Sequence, residues 1–249
     1  MNKFINNSRL AFIALTAGFI ACGNAHAHQL WLEQDGKEAT LYFGEYADNL
    51  REVSPGLLDR FVNPTVHKIS SAGAQQLVAT KTPYGFVIAA RVGKGETLIA
   101  RELAYPIRES KDGGKTVRAL YVPAARLVVD ASAQDQQLTL DLVPTGKTDT
   151  NQVELQAFYE GRPLPKAKVT VAAASGWMQE LRAGDNGKLM VTMPWAGSYV
   201  MEVKQLDAGG ERAGEKYDKV NFVTSLSMLQ PTGLTALPTP AAAAPGKMN

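Results

Sequence analysis

The chain has 249 residues, and its 26 lysines and arginines nearly balance 24 aspartates and glutamates, for a formal net charge of +2. Acidic and basic residues are interleaved without a basic stripe, which excludes the electrostatic signature of a nucleic-acid-binding surface. The only cysteine is Cys22. An internal disulfide is therefore excluded, and the stability of the fold has to come from apolar cores.

The first 27 residues are predicted to be a cleavable secretory signal. Lys3 and Arg9 precede an apolar run from Leu10 to Ile20, and the small-residue triplet Ala25-His26-Ala27 follows it. The apolar run has roughly half of the about 20 residues that a membrane helix needs, so it is not expected to be a permanent membrane anchor. We therefore expect no membrane span after the signal is cleaved. Cleavage after Ala27 would give a periplasmic protein that begins at His28.

A second kind of signal competes with this interpretation. The segment Phe19-Ile20-Ala21-Cys22 resembles a bacterial lipoprotein signal, in which Cys22 would be lipidated and become the first residue. Phe is unusual at the leading position of that motif, so cleavage at Ala27/His28 is the favoured prediction and lipidation the alternative.

From His28 onward the pattern is one of strands and turns. Gln29 to Glu33 and Ala39 to Phe43 flank the turn residues Asp35-Gly36, as in a β-hairpin. Further predicted strands follow in chain order at 85–91, 97–101, 116–122, 126–130, 138–143, 153–159, 167–173, 188–193 and 199–203. The best helix candidate, Pro55 to Phe61, is short. This spacing predicts an all-β fold of two tandem β-sandwich domains, Ig-like or transthyretin-like, rather than a parallel sheet with crossover helices.

A polar, turn-rich stretch around residues 144–151 predicts the domain boundary. The predicted units are an N-terminal β domain at 28–147 and a C-terminal sandwich at 150–228. Residues 229–249 are rich in proline and alanine and have little to bury, so we expect a disordered tail there.

The two histidines of the predicted mature chain, His28 and His67, are its best metal ligands. An N-terminal His28 would offer its α-amino nitrogen and a ring nitrogen to one metal as a chelate. The imidazole of His67 would complete a three-nitrogen set suited to copper or nickel, with all three nitrogens deprotonated. A lone histidine is as often a solvated or hydrogen-bonded side chain, so the pair is a hypothesis that requires the two residues to meet in space.

Other candidate ligands are weaker on sequence grounds. Glu33, Glu45 and Asp48 are acidic residues near the start of the mature chain, and most such residues are solvated at the surface. Four methionines resemble a thioether set for reduced copper, but their spacing favours core packing. They are Met178, Met190, Met193 and Met201.

The lack of recognisable catalytic motifs predicts that the protein is not an enzyme. The chain has no glycine-rich phosphate loop, no nucleophile elbow and no paired zinc histidines. A copper oxidase built on a terminal histidine is a remote alternative, because Trp31, Trp177 and Trp195 are too scattered to suggest an aromatic substrate face.

Residues 152–205 carry the most recognisable local pattern. It runs through a Gly161-Arg162-Pro163-Leu164 turn, the strand Lys168 to Ala173, the turn Asp185-Asn186-Gly187, and Pro194-Trp195-Ala196-Gly197 before Tyr199. This order resembles the transthyretin-like or carboxypeptidase-regulatory β-sandwich, although the Asp185 turn is one residue shorter than in that family. Turn geometry by itself also explains these Gly, Asn and Asp residues.

The whole predicted mature chain, from His28 to Met228, resembles a bacterial periplasmic family of unknown function that is described as the periplasmic component of cobalt and nickel uptake. The stretches that carry the resemblance are Ala25 to Glu33, Phe43 to Glu45 and the C-terminal sandwich. The resemblance implies an all-β secreted protein that handles a divalent transition metal, with His28 after the signal. Asn221 is a departure, because the family segment has a histidine there, and asparagine is a poorer ligand for nickel or cobalt.

Together these features predict a periplasmic protein that binds or delivers nickel, cobalt or copper and serves a membrane metal transporter. The alternative is a non-catalytic β-sandwich interaction module of the cell envelope that needs no metal.

Overall fold

The computed structural model describes residues 28–246. The predicted signal at 1–27, including Cys22, lies outside the described residues. A short 3-10 helix, Leu57–Arg60, is the one helical element in this range, inside the segment predicted as the best helix candidate. Between His28 and Gly246, no helix has the length and apolar character needed to cross a membrane.

The 18 strands form three sheets. Sheet A has five strands, Gln29–Asp35 (β1), Glu38–Glu45 (β2), Leu50–Arg51 (β3), Ala79–Thr82 (β6) and Gly85–Ile88 (β7). Sheet B has nine, Thr65–Ser70 (β4), Gly73–Leu77 (β5), Thr97–Arg101 (β8), Arg108–Asp112 (β9), Lys115–Val128 (β10), Lys168–Ala173 (β14), Met178–Arg182 (β15), Gly197–Arg212 (β17) and Glu215–Gln230 (β18). Sheet C has four, Leu140–Asp149 (β11), Gln152–Tyr159 (β12), Arg162–Pro163 (β13) and Lys188–Thr192 (β16).

Sheets A and C pack on opposite faces of the large sheet B. Successive side chains of a strand point to opposite faces. On β10, Ala125 and Leu127 belong to the core under sheet A, whereas Val128 belongs to the core under sheet C. On β18, Ser225 donates to the carbonyl of Leu30 in sheet A, and Thr224 donates to the carbonyl of Leu140 in sheet C. The molecule is thus two β-sandwiches that share one central sheet, which confirms the predicted all-β fold.

The predicted domain boundary does not fall in a linker. Residues 144–149 belong to β11, which turns at Thr150 and Asn151 into β12. Sheet B also runs across the boundary, because β10 pairs in parallel with β18 along ten residue pairs, from Ala119↔Lys219 to Val128↔Met228. The polar residues at 145–150 are those of an exposed hairpin end, which uses the same turn formers as a linker. The structure does not confirm a division into two tandem domains.

Residues 229–246 are the described part of the predicted disordered tail. Residues 229 and 230 complete β18, and residues 231–246 continue without regular secondary structure along the surface. Leu234 forms a bridge with Trp195, and the carbonyl of Pro240 accepts a hydrogen bond from Asn49. Low apolar content predicts little burial, but it does not prevent backbone groups from binding to a preformed surface.

Candidate functional site

His28 lies immediately before β1, at the end of sheet A. The register of β1 and β2 pairs Gln29 with Gly44 and Leu30 with Phe43, so His28 stands opposite Glu45. Leu30 and Phe43 face the core between sheets A and B. Side chains two residues apart share a face, and therefore His28 and Glu45 lie on this same face at its rim.

The third residue of the site, Glu52, is positioned by the tight connection from β2 to β3. Strand β3 pairs Leu50 with Glu45 and Arg51 with Gly44, and the backbone N–H of Glu52 donates to the carbonyl of Phe43 at 2.8 Å. Glu52 therefore stands opposite Phe43 and points to the same face as His28.

Each ring nitrogen of His28 faces a different carboxylate. Nε2 lies 2.5 Å from Oε1 of Glu52, and Nδ1 lies 3.3 Å from Oε1 of Glu45. The side chain of Glu52 is 0% exposed, that of Glu45 17% and that of His28 30%. The imidazole thus lies between a fully buried acid and a partly exposed one.

A cluster of aromatic side chains in the core packs against the imidazole of His28. The ring of His28 packs on Phe43 with 5.1 Å between centroids, and Phe43 in turn contacts Phe61 at 4.5 Å. Tyr105 joins Phe61 to Tyr121 by edge-on contacts of 5.1 and 5.0 Å. These rings come from four separate segments of the chain and fix the position of the imidazole by packing.

Tyr121 also holds the backbone of His28. Its hydroxyl donates to the His28 carbonyl at 2.7 Å. Burial, followed by the negative charge of Glu202, raises the pKa of the Tyr121 phenol well above its ordinary value. The phenol therefore stays protonated and remains a donor to the first residue of the predicted mature chain.

The acidic residues predicted as helpers have different positions. Glu45 lies in the site and also borders a shallow open cleft. Glu33 instead accepts from Trp31 at 2.9 Å and pairs with Arg51 at 2.8 Å. Asp48 is exposed at the edge of the same cleft. Of the three candidates, only Glu45 contacts His28.

The methionines do not form a thioether site. Met193 and Met201 are buried in the core between sheets B and C. Met178 packs in a small cluster with Trp31, and Met190 lies on β16 with its neighbours Leu189 and Val191 turned into the core on the other face.

The structure does not bring His67 to His28. His67 lies on β4 opposite Ile99, and its neighbour Val66 points into the core under sheet A. His67 therefore projects from the other face of sheet B, whereas His28 lies with Tyr121 on the sheet A side. A metal bound at one histidine cannot be completed by the other within one molecule.

Within residues 28–246, no three or more His, Cys, Asp or Glu side chains have an arrangement that could hold a metal ion. At His28 the reason is geometric, because the two carboxylates lie on opposite sides of the ring and cannot converge on one ion. Nδ1 of His28 lies near one carboxylate, that of Glu45. An α-amine at His28 would be present only in a chain that begins there. On this side of the ring the described side chains thus offer two potential ligands, Nδ1 of His28 and the carboxylate of Glu45, and a metal would need further donors.

Glu52 was not among the residues predicted for the site. Leu50 and Arg51 form a two-residue strand that carries no periodic pattern, so the sequence could not place Glu52 opposite Phe43. In the sequence, Glu52 is an acidic residue between Arg51 and Val53 that follows a polar turn. This pattern is equally typical of a solvated loop. Asn221, the departure from the family pattern, pairs with Tyr121 and so shares the face of the site.

No family model matches the chain, and no curated protein matches it either.

Proposed function

We propose that the mature chain, beginning at His28, is a periplasmic protein that binds a divalent transition metal and delivers it to a membrane transporter. The ion is held by the α-amine and Nδ1 of His28 together with the carboxylate of Glu45. The metal is cargo in this proposal, and no catalytic step is assigned to it.

The observation that supports the proposal is the environment of the imidazole. A neutral imidazole has one N–H donor and one acceptor nitrogen. If Nε2 donates to the buried Glu52, Nδ1 directs a lone pair at an oxygen of Glu45 only 3.3 Å away. Two electron-rich atoms at that distance repel unless a proton or a cation lies between them, so this side of the ring favours a positive ligand.

Glu52 acts as a positioning residue. Histidines that bind metals commonly donate their other ring N–H to a carboxylate, which fixes the tautomer and makes the ligating nitrogen more basic. Glu52 has the required position on Nε2, and its side chain is fully buried. The arrangement selects Nδ1, which is the nitrogen that forms a chelate ring with the α-amine.

The donor set favours particular metals. An amine, an imidazole and one carboxylate are borderline to hard ligands that suit copper(II), nickel(II) and cobalt(II). For such nitrogen and oxygen donors, affinity rises from cobalt through nickel to copper. We therefore expect copper(II) to bind most tightly in vitro, while nickel and cobalt rest on the family resemblance.

The test is calorimetric titration of each metal into the mature protein, after mass spectrometry has confirmed that it begins at His28. We expect one metal per chain, and complete loss in His28→Ala. Glu52→Gln keeps the shape of the side chain but weakens the acceptor, and we expect a loss of about 10- to 100-fold in affinity.

A chain with a Gly-Ser-Gly-Ser extension before His28 is the matched control for the amine, since it keeps every side chain of the site. We expect it to bind as weakly as His28→Ala. Equal binding by the extended and the mature chains would refute the chelate. Equal loss in His67→Ala would instead show that the predicted histidine pair forms between molecules.

The competing function, an interaction module without metal, predicts that none of these chains binds a metal stoichiometrically. In that case the contact between His28 and Glu52 is a structural ion pair that anchors β1.

A further inference from the structure

The last described residues of the chain run from the C-terminal sandwich to the His28 site. We call residues 231–246 the C-terminal strap. The backbone of Leu234 exchanges two hydrogen bonds of 2.9 Å with Pro194 and Ala196. Asn49 donates to the carbonyl of Pro240 at 2.9 Å, and the backbone N–H of Gly246 donates to Oε2 of Glu52, also at 2.9 Å.

The strap is attached at a few points only. Most of its side chains are exposed, and it has no strand pairing beyond the bridge at Leu234. Its four prolines restrict the backbone before docking, which lowers the entropy lost on ordering. A segment with few buried contacts and little pairing opens more readily than the strands beneath it.

Glu52 joins the strap to the imidazole. Its Oε1 accepts from His28 and its Oε2 accepts from Gly246. With the strap docked, the side chain of Glu52 is 0% exposed, so its oxygens depend on these two donors. A buried carboxylate without partners is strongly unfavourable, so each of the two contacts helps to maintain the geometry that the other requires.

We propose that the C-terminal strap is a reversible closure of the His28 site, coupled to the imidazole through the shared carboxylate of Glu52. Docking of the strap holds Glu52 in the orientation that directs Nδ1 at Glu45. In its effect on metal release this inference rests on the proposed function, but the coupling between the strap and the ring is a property of the metal-free protein.

Linkage makes the coupling reciprocal. If the docked strap favours one orientation of the ring, that orientation must favour the docked strap by the same factor. Loss of the Gly246 donor therefore loosens the imidazole, and loss of the imidazole loosens the strap.

Gly246→Pro in the mature chain removes the N–H that reaches Glu52, but it also adds a Cβ that would lie 2.8 Å from Leu57 and 3.0 Å from Oε1 of Glu52. Gly246→Ala adds the same Cβ and keeps the N–H, so it is the control for this contact. Ala244→Pro is the matched control, because residue 244 is exposed and the change also places a proline next to Pro245. Ring nitrogen resonances are recorded by NMR without metal, with His67 as an internal reference on the other face of sheet B. Release of bound copper(II) to a chelator is followed by stopped-flow spectroscopy.

We expect Gly246→Pro to shift and broaden the His28 ring signals, while the His67 signals stay in place and Ala244→Pro resembles the unaltered protein. Copper release should become faster on the order of tenfold, as expected for the loss of a hydrogen bond to a charged group. Amide hydrogen exchange at Gly246 should accelerate by a similar factor in His28→Ala.

His28 signals that are identical in Gly246→Pro and in the unaltered protein would overturn the proposal. An effect of Gly246→Pro no larger than that of Ala244→Pro or of Gly246→Ala would overturn it as well. If the ring and the strap respond to each other but no metal binds, the closure stands and the proposed function fails.

Discussion

Two fully buried acids, Asp141 and Glu52, have different surroundings and different roles. Asp141 accepts from Arg126 through both carboxylate oxygens and from the backbone N–H groups of Gln137, Leu138 and Leu142. Glu52 has only the His28 ring and the N–H of a loosely attached segment. Asp141 is thus satisfied by fixed structure, whereas the partners of Glu52 can change.

The pair Arg126 and Asp141 provides a stability prediction. Both side chains are 0% exposed. Replacing Asp141 with Asn leaves the guanidinium buried without a counter-charge, and we expect a loss of about 3–5 kcal/mol in the free energy of unfolding, measured with urea. Glu180→Gln, in the exposed pair with Lys168, is the control and should lose less than about 1 kcal/mol. A loss of similar size in both variants would contradict the structural role of Asp141.

The buried phenols predict a decline of stability at alkaline pH. Burial is the main cause that raises the pKa of both Tyr121 and Tyr46, whereas tyrosines of the unfolded chain ionise near about pH 10. The stabilising contribution is therefore complete below about pH 10, and it is lost as the pH rises from there towards the raised values of the folded state.

This decline is measured as the urea midpoint from about pH 8 to about pH 11. Tyr121→Phe should be less stable at neutral pH by about 1 kcal/mol, because the donor to His28 is lost, and its midpoint should fall less steeply above pH 10. The same substitution at exposed Tyr84 is the control. Identical pH profiles for Tyr121→Phe and the unaltered protein would count against the contribution of this phenol.

At the level of secondary structure, the close packing of β3 on β2 positions Glu45 and Glu52 beside His28. Gly44 has a φ of +147°, and a Cβ at this position would collide with the carbonyl oxygen of Leu50. The close approach of these two backbones is what places Glu45 and Glu52 on either side of the imidazole. A side chain at Gly44 would push β3 outward and carry Glu52 with it.

We therefore expect Gly44→Ala to lose about 1–3 kcal/mol of stability and also to weaken metal binding. Gly36→Ala is the matched control, because Gly36 has a φ of +56° but an added Cβ meets nothing within 4 Å. It should lose about 1 kcal/mol or less and leave the site intact. Urea unfolding and calorimetric metal titration separate the two effects, and normal binding by Gly44→Ala would show that the site tolerates displacement of β3.

At the scale of the whole molecule, the shared central sheet joins the two sandwiches. Strand β18 contributes to both, through its parallel pairing with β10 and its antiparallel pairing with β17. Its side chains at Thr224 and Ser225 donate to sheets C and A respectively. Neither half of the chain therefore contains a complete set of partners for its own strands.

We expect the fragments 28–147 and 150–228 to be unfolded or aggregated when produced separately. The fragment 28–147 leaves the edge of β10 without β18 and exposes Val128, Leu140 and Leu142, whose partners in the core under sheet C lie beyond residue 147. The intact chain should unfold in a single cooperative transition with coincident fluorescence and circular dichroism signals. Two separated transitions, or a fragment with native-like dispersed NMR signals, would instead support two independent domains.

The fold class and the core strands with clear alternation could be predicted from the sequence, whereas the 16-residue strand β18 could not. Alternation between apolar and polar residues is a local property, so the strands at 97–101 and 153–159 could be predicted closely. The sequence also predicted a short helix near residues 55–61, where the structure has one 3-10 turn. These features depend on neighbours in the chain.

Which residues meet in space depends on the tertiary structure. His28 and His67 were predicted to bind one metal together. On β4, however, Val66 points into the core under sheet A, so its neighbour His67 lies on the opposite face of sheet B. Glu52 gave no signal, because its position depends on a two-residue strand and a register that no local pattern encodes. Contacts between distant segments are set by strand register and by which face each residue occupies, and a shift of one residue would reverse both.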